Sequence, residues 1–174
     1  MAFVPEDGTG LVSSNSYIAV AYADAYFDDR QIASWASLPT SVKQAALIAA
    51  TDYIDKRWGP YFKGYPLTDT QALTFPRDVF LDELGAGYIP GGLKKATAEY
   101  GIRAASAPLA PDPVQDPSGY EVSRRVEKVG PIEERTDFAF LGPGAIRQLL
   151  KPYPAADLLL KPFIGILQGR VIRN

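Results

Sequence analysis

Four prolines fall within the twelve residues from Pro108 to Gly119, at positions 108, 111, 113 and 117, and no other segment limits the fold so strongly. A proline ring removes a backbone donor and clashes with the preceding turn, so no helix can pass through this stretch. It reads as a semi-extended linker. The chain is therefore expected to organise as residues 1–107, a helical core with an N-terminal arm; 108–119, the linker; and 120–174, carrying whatever follows.

Upstream of the linker the apolar spacing is helical. Residues 1–15 contain glycine and serine without periodicity and predict a flexible or extended arm. From Val20 to about Ser37, Tyr22, Ala23, Tyr26, Phe27, Ile32 and Trp35 recur at intervals of three and four, with Asp24, Asp28 and Asp29 on another side. That is the first expected helix. Leu38-Pro39-Thr40-Ser41 makes a break and a restart, with Thr40 or Ser41 as N-cap, and the second helix should run from about Ser41 to Arg57. Its Ala45, Ala46, Ala49 and Ala50 permit close approach of a neighbouring helix. Between Gly59 and Tyr88 glycine and proline alternate with Tyr61, Phe62, Leu67, Leu73, Phe75, Val79 and Phe80, which predicts a loop packed against the body. Pro90 suits a first helical turn, and Leu93, Ala96, Thr97, Tyr100, Ile102 and Ala104 carry a third helix to about Ala107.

Downstream, Tyr120, Val122, Val126 and Val129, a turn at Gly130-Pro131, and the return from Ile132 to Phe138 predict a β-hairpin. A short turn at 146–150 and a short apolar helix beginning at Pro154 follow. The expected fold is mainly α: a small bundle of three main helices plus a short C-terminal helix, with a β-hairpin and extended terminal arms.

Composition narrows the chemistry. The 174 residues include no histidine and no cysteine, which removes the commonest general base, the thiolate nucleophile, the disulfide and the usual zinc ligands. No enzyme, cofactor or metal is expected. A net charge of −2 and a pI near 5.2 argue against a protein whose main task is gripping phosphates, because that affinity comes from clustered Lys and Arg. No run approaches the ~18 apolar residues of a membrane span, and the first residues lack a basic segment followed by an apolar one. The expectation is a protein neither secreted nor membrane-spanning.

The remaining motifs have plain readings. Gly91-Gly92-Leu93-Lys94-Lys95 matches neither phosphate-loop nor dinucleotide spacing and reads as a helix start. Asp24 and Asp28, one turn apart, read as a solvated helix face rather than a shared metal or proton site. Asp112 and Asp116 lack the glycine and distal glutamate of a calcium loop. Tyr22, Tyr26 and Trp35 read as core packing rather than a base-stacking stripe.

Four blocks in order resemble a known family: Ser16-Tyr17-Ile18-Ala19-Val20-Ala21-Tyr22-Ala23-Asp24-Ala25-Tyr26-Phe27; Gln44 through Asp55; Gln71-Ala72-Leu73-Thr74-Phe75-Pro76-Arg77; and Ile89-Pro90 opening a helix. With Val129-Gly130-Pro131-Ile132-Glu133 and Tyr153-Pro154-Ala155-Ala156-Asp157-Leu158-Leu159, they resemble the head-to-tail adaptors of tailed bacteriophages, a group often labelled DnaT-like single-stranded DNA-binding proteins. Ala19 stands where many relatives place a helix-capping serine. The resemblance implies a virion neck protein, made in the bacterial cytoplasm. It implies a homo-oligomeric ring, usually of twelve copies, that joins the portal protein to the next neck or tail protein while DNA passes through the lumen unbound. The label keeps a second function open, single-stranded DNA binding in phage replication.

An adaptor needs surfaces for its neighbours, and two segments supply candidates. In the hairpin, Val122, Val126 and Ile132 alternate with Arg124, Glu127, Lys128 and Glu133, as on a face meant for another chain. At the end of the chain, Ile166, Leu167, Val171 and Ile172 accompany Arg170 and Arg173 in an arm too short for its own core. The expected docking surface is the portal, by resemblance, or else a neighbouring adaptor copy.

Overall fold

Thr40–Trp58 forms the longest helix, α3, and its buried residues Lys43, Ala46, Leu47, Ala50, Thr51, Tyr53 and Ile54 repeat at three and four along one face. The computed structural model describes residues 2–82, 87–111 and 151–165 in full, and the backbone of 122–128 and 133–138. Helices α1 (Val20–Asp28) and α2 (Ala33–Ala36) precede α3, a 3-10 turn at Gly59–Tyr61 extends it, and α4 (Gly91–Ala104) packs along it. Strands β1 (Val122–Lys128) and β2 (Glu133–Phe138) follow, then α5 (Pro154–Leu160) and a 3-10 turn at Lys161–Phe163. The protein is mainly helical, as the spacing predicts.

Small residues set the distance between α3 and α4. A Cβ added at Gly101 would lie 2.9 Å from Leu47 Cδ2, closer than side-chain carbons stand, so this glycine is required by the approach of α3. Gly92 has the same role toward the C-terminal segment, since a Cβ there would meet the Phe163 ring at 2.8 Å. Two threonines, Thr51 and Thr97, are fully buried in this interface, and each donates its hydroxyl to the carbonyl one turn back, Leu47 and Leu93, both at 2.9 Å. Pro90 is the N-cap of α4 rather than its first residue, with φ −58 and ψ 141. Ala19 caps α1 with extended backbone and no side-chain hydrogen bond, as expected of alanine where a serine could bond.

Three expectations are corrected. The first helix does not run to Ser37: it ends at Asp28, and the chain reverses through Gln31, whose φ is +54, before α2 begins at Ala33. The helical spacing of Tyr26, Phe27 and Trp35 is kept because the reversal still turns all three inward. The N-terminal segment is not a free arm. Glu6, only 6% exposed, accepts hydrogen bonds from the N–H groups of Gly8, Gly10 and Leu11 and from the Ser14 hydroxyl, so one buried carboxylate organises residues 6–14. Finally, residues 152–165 do not group with the hairpin. The described residues up to Leu109 and from Pro152 onward form one compact unit, because Ala156 and Leu160 are fully buried beside α4 and the Tyr153 hydroxyl donates to the Leu109 carbonyl at 2.9 Å.

The second unit contains the antiparallel pair β1–β2, in register from Arg124↔Asp137 to Lys128↔Glu133. An irregularity between Val122 and Arg124 interrupts the two-residue repeat before Val126.

The loop after α3 is packed down, as predicted. Phe75 is fully buried, with the rings of Phe62, Phe80 and Tyr17 at 4.9, 5.5 and 6.2 Å. The loop backbone wraps Arg77, whose guanidinium donates to the carbonyls of Phe62, Lys63, Gly64 and Thr74. Asp55 of α3 ties the same loop to the N-terminal segment: it accepts from the Thr74 N–H at 3.1 Å, the Thr74 hydroxyl at 2.6 Å and the Tyr17 hydroxyl. Among the described residues, no helix is long and apolar enough to cross a membrane.

Burial raises the Asp55 carboxyl above its ordinary 3.8, against the lowering by its hydrogen bonds from Thr74 and Tyr17. The folded protein therefore holds this proton to higher pH than the unfolded chain does. The group's contribution to stability is present below the unfolded value and is lost as pH rises through the folded one. Urea unfolding of the wild type and Asp55→Asn between about pH 4 and pH 7 should show the wild type losing its advantage over the variant as pH rises.

Candidate partner-binding cleft

The reversal at residues 29–32 builds a cleft. Because α1 stops at Asp28, the Ile32 N–H returns to the Phe27 carbonyl at 3.0 Å and α2 swings Trp35 back beneath α1. The Trp35 and Phe27 rings, both almost fully buried, lie 5.0 Å apart and form the floor. Half-buried Ile32 and the exposed alanines 25, 33 and 36 form apolar walls, and the open cleft has a volume of about 600 Å³, within the range of a ligand or peptide-anchor pocket.

Asp24 is the polar centre of the cleft. Its Oδ1 accepts from Trp35 Nε1 at 2.8 Å and from Lys43 Nζ at 2.9 Å, so one carboxylate oxygen joins α1, α2 and α3. The Lys43 side chain is only 11% exposed and lies 5.7 Å from the Trp35 ring centre, while Asp24 is 46% exposed. One turn on, Asp28 stands exposed at the cleft edge, and among the described residues no side chain bonds to its carboxylate. Asp24 thus has a positioning role that a solvated helix face does not have; Asp28 fits that reading. Nothing in the spacing of Asp24, Trp35 and Lys43 marks them as partners, since the reversal that joins them follows no turn motif.

The cleft has no nucleophile beside a base, and among the described residues no group of three or more acidic side chains could hold a metal. It offers apolar walls with carboxylates at the rim, a setting for an apolar segment bearing cations. A phosphate chain would meet Asp24 and Asp28.

Among the described residues several cations are committed to the fold, while Lys56, Lys95, Lys151 and Lys161 are exposed. Arg57 pairs with Asp157 at 3.3 Å, Arg103 with Glu99 at 2.8 Å, and Arg30 stacks on Tyr26 at 3.6 Å. Lys63 donates to the Pro162 carbonyl. The loop after α3 does leave apolar groups exposed: Tyr61, Tyr65, Val79, Leu81 and Tyr88, with Tyr65 at 77%.

Of the residues the sequence singled out for partner contact, Val122 lies opposite Phe138 and Val126 opposite Arg135 in the β1–β2 register. Ile132, Ile166, Leu167, Arg170, Val171, Ile172 and Arg173 lie outside the described residues.

A family model described as "Putative DnaT-like ssDNA binding protein" matches residues 1–174. No curated protein and no solved structure matches the chain.

Replacing Asp24 by alanine strands the Trp35 N–H and the buried Lys43 ammonium, and should cost about 1–3 kcal/mol in urea unfolding. Asp28→Ala, which breaks no such contact, should stay within about 0.5 kcal/mol of wild type in the same measurement.

Proposed function

This chain belongs to the family described as "Putative DnaT-like ssDNA binding protein", and from that premise we propose that it is a structural adaptor of a tailed-phage neck. In this reading copies of the chain assemble into a ring between the portal and the next neck or tail protein, and DNA passes through without being held. The proposal gives the protein no catalytic step and places it in the virion. Twelve copies is the number the adaptor resemblance implies.

The observation that carries this reading is the direction in which the charges face. Lys43, Arg57, Arg77 and Arg103 are held by carboxylates or carbonyls of the same chain, while the cleft presents carboxylates and the loop after α3 presents tyrosine and aliphatic side chains. Such a surface suits contact with protein, because phosphate binding depends on cations free to displace counterions. The blocks that carry the adaptor resemblance fall on α1, α3, the Phe75 loop and the start of α4, the elements that build this unit.

The family description by itself favours a second reading, single-stranded DNA binding in replication. Exposed Tyr61, Tyr65 and Tyr88 are the observation on its side, since bases stack on aromatic faces.

Fluorescence anisotropy of labelled single-stranded DNA, with light scattering of the same sample, separates the two. The adaptor reading expects dissociation constants weaker than about 10⁻⁴ M at physiological salt, little change with salt, and self-association of the protein. Tight binding that falls steeply with salt and is lost in Tyr65→Ala would establish the DNA-binding reading instead, at about 1–3 kcal/mol for each stacked base removed.

A further inference from the structure

The cleft and the C-terminal arm are chemically complementary. The cleft has a floor of Phe27 and Trp35, walls of Ile32 and alanines, and two carboxylates against one lysine that is already bonded to Asp24. The segment beyond Gly165, Ile166-Leu167-Gln168-Gly169-Arg170-Val171-Ile172-Arg173-Asn174, has four aliphatic side chains, two arginines and no acidic side chain. An aliphatic side chain gains about 1.5–3 kcal/mol when fully buried, and Arg is suited to carboxylates at a partly dry edge.

Geometry decides whose cleft the arm can fill. Gly165 is fixed beside the C-terminal end of α3, where its N–H donates to the Tyr61 carbonyl at 2.8 Å and Phe163 accepts from the Lys63 N–H at 2.9 Å. The cleft lies at the other end, where Lys43 is in the first turns of α3. Sixteen residues of helix separate Lys43 from Gly59, about 24 Å at 1.5 Å per residue. About seven residues of fully extended chain are needed to cover that distance, so an arm crossing its own subunit could not bring Ile166, Leu167 or Arg170 into its own cleft.

We propose that residues 166–174 of one copy dock in the α1–α2 cleft of the next copy, the aliphatic side chains against Phe27, Ile32 and Trp35 and the arginines on Asp24 and Asp28. This rests on the assembly reading above and names its contact. Donor and acceptor surfaces at opposite ends of α3 make the association head-to-tail, and a head-to-tail contact that closes by rotation forms a ring.

The absence of cysteine makes disulfide trapping clean. The full chain carrying Ala33→Cys at the cleft wall and Val171→Cys in the arm should, on mild oxidation, form a ladder of disulfide-linked multimers on a non-reducing gel. Ala36→Cys with Val171→Cys provides a second pair should the first disturb folding, which circular dichroism will register. Asp28→Arg in the double-cysteine chain should lower the yield roughly fivefold, the scale of an exposed charge contact, and one of the single changes Arg170→Glu or Arg173→Glu, whichever arginine meets position 28, should restore it. Crosslinks confined within single chains would overturn the proposal by placing the arm in its own cleft. Oligomers in light scattering without either crosslink would also overturn it, while leaving the assembly reading intact. A protein that is monomeric and uncrosslinked at every concentration would overturn both.

Discussion

The Asp157 carboxylate is the point on which the helical unit turns. It sits in the first turn of α5, accepts from the Tyr153 N–H at 3.0 Å and pairs with Arg57 of α3 at 3.3 Å. The Tyr100 hydroxyl of α4 donates to it and in turn accepts from Trp58 Nε1 at 3.0 Å. Around it the rings of Tyr53, Tyr100 and Tyr153 meet edge to face, with centres 5.1, 5.8 and 6.0 Å apart. A half-dry ion pair of this kind adds modest net stability, but losing one partner leaves a charge stranded. Its effect is to set the position of α5: a segment that returns across the proline-rich stretch can dock on α3 and α4 in only one register. Burial raises the Tyr100 hydroxyl far above its usual range, helped by the carboxylate beside it, so the ring stays neutral and remains a donor.

The same arrangement recurs toward the N-terminus, with neutral donors in place of a cation at two of three carboxylates. Glu6 and Asp55 are each satisfied by backbone N–H groups and hydroxyls, and Asp24 by an indole and a lysine. Asp24, Asp55 and Asp157 thus act as fasteners between separate elements, and Glu6 does so within the N-terminal segment. Arg77 does the converse with carbonyls in the loop after α3. Charge is spent inside this fold to position loops. The surface is aromatic and aliphatic where the loop after α3 is exposed and acidic where α1 meets the cleft.

Much of the helical framework is legible in the chain. Periodicity places α3 and α4 within a few residues of their ends, because both helices bury one continuous face and small residues repeat along it. Pro154 marks the start of α5, and the density of apolar side chains between Gly59 and Phe80 shows that the loop is packed. The misreadings share a cause. Asp24 and Asp157 have ordinary local surroundings and find their partners only when separate elements meet, while Glu6 gathers residues 8–14 around a buried carboxylate that no spacing announces. A polar N-terminus therefore reads as an arm, and an acidic helix face reads as solvated. The cleft is invisible for the same reason, since it exists only where a helix breaks at Gln31 without glycine or proline to announce the turn.

Sequence alone determined the mainly helical fold class, the lack of histidine and cysteine and the DnaT-like family label, because composition and spacing are local properties that need no partner. Tertiary structure alone decided that residues 152–165 join the helical unit, that the N-terminal segment closes around Glu6, and that Asp24, Trp35 and Lys43 converge. Each of those outcomes depends on a buried polar group finding its partner, within residues 6–14 for Glu6 and between separate elements for the others, and a buried donor or acceptor left unmatched costs more than local preference can supply.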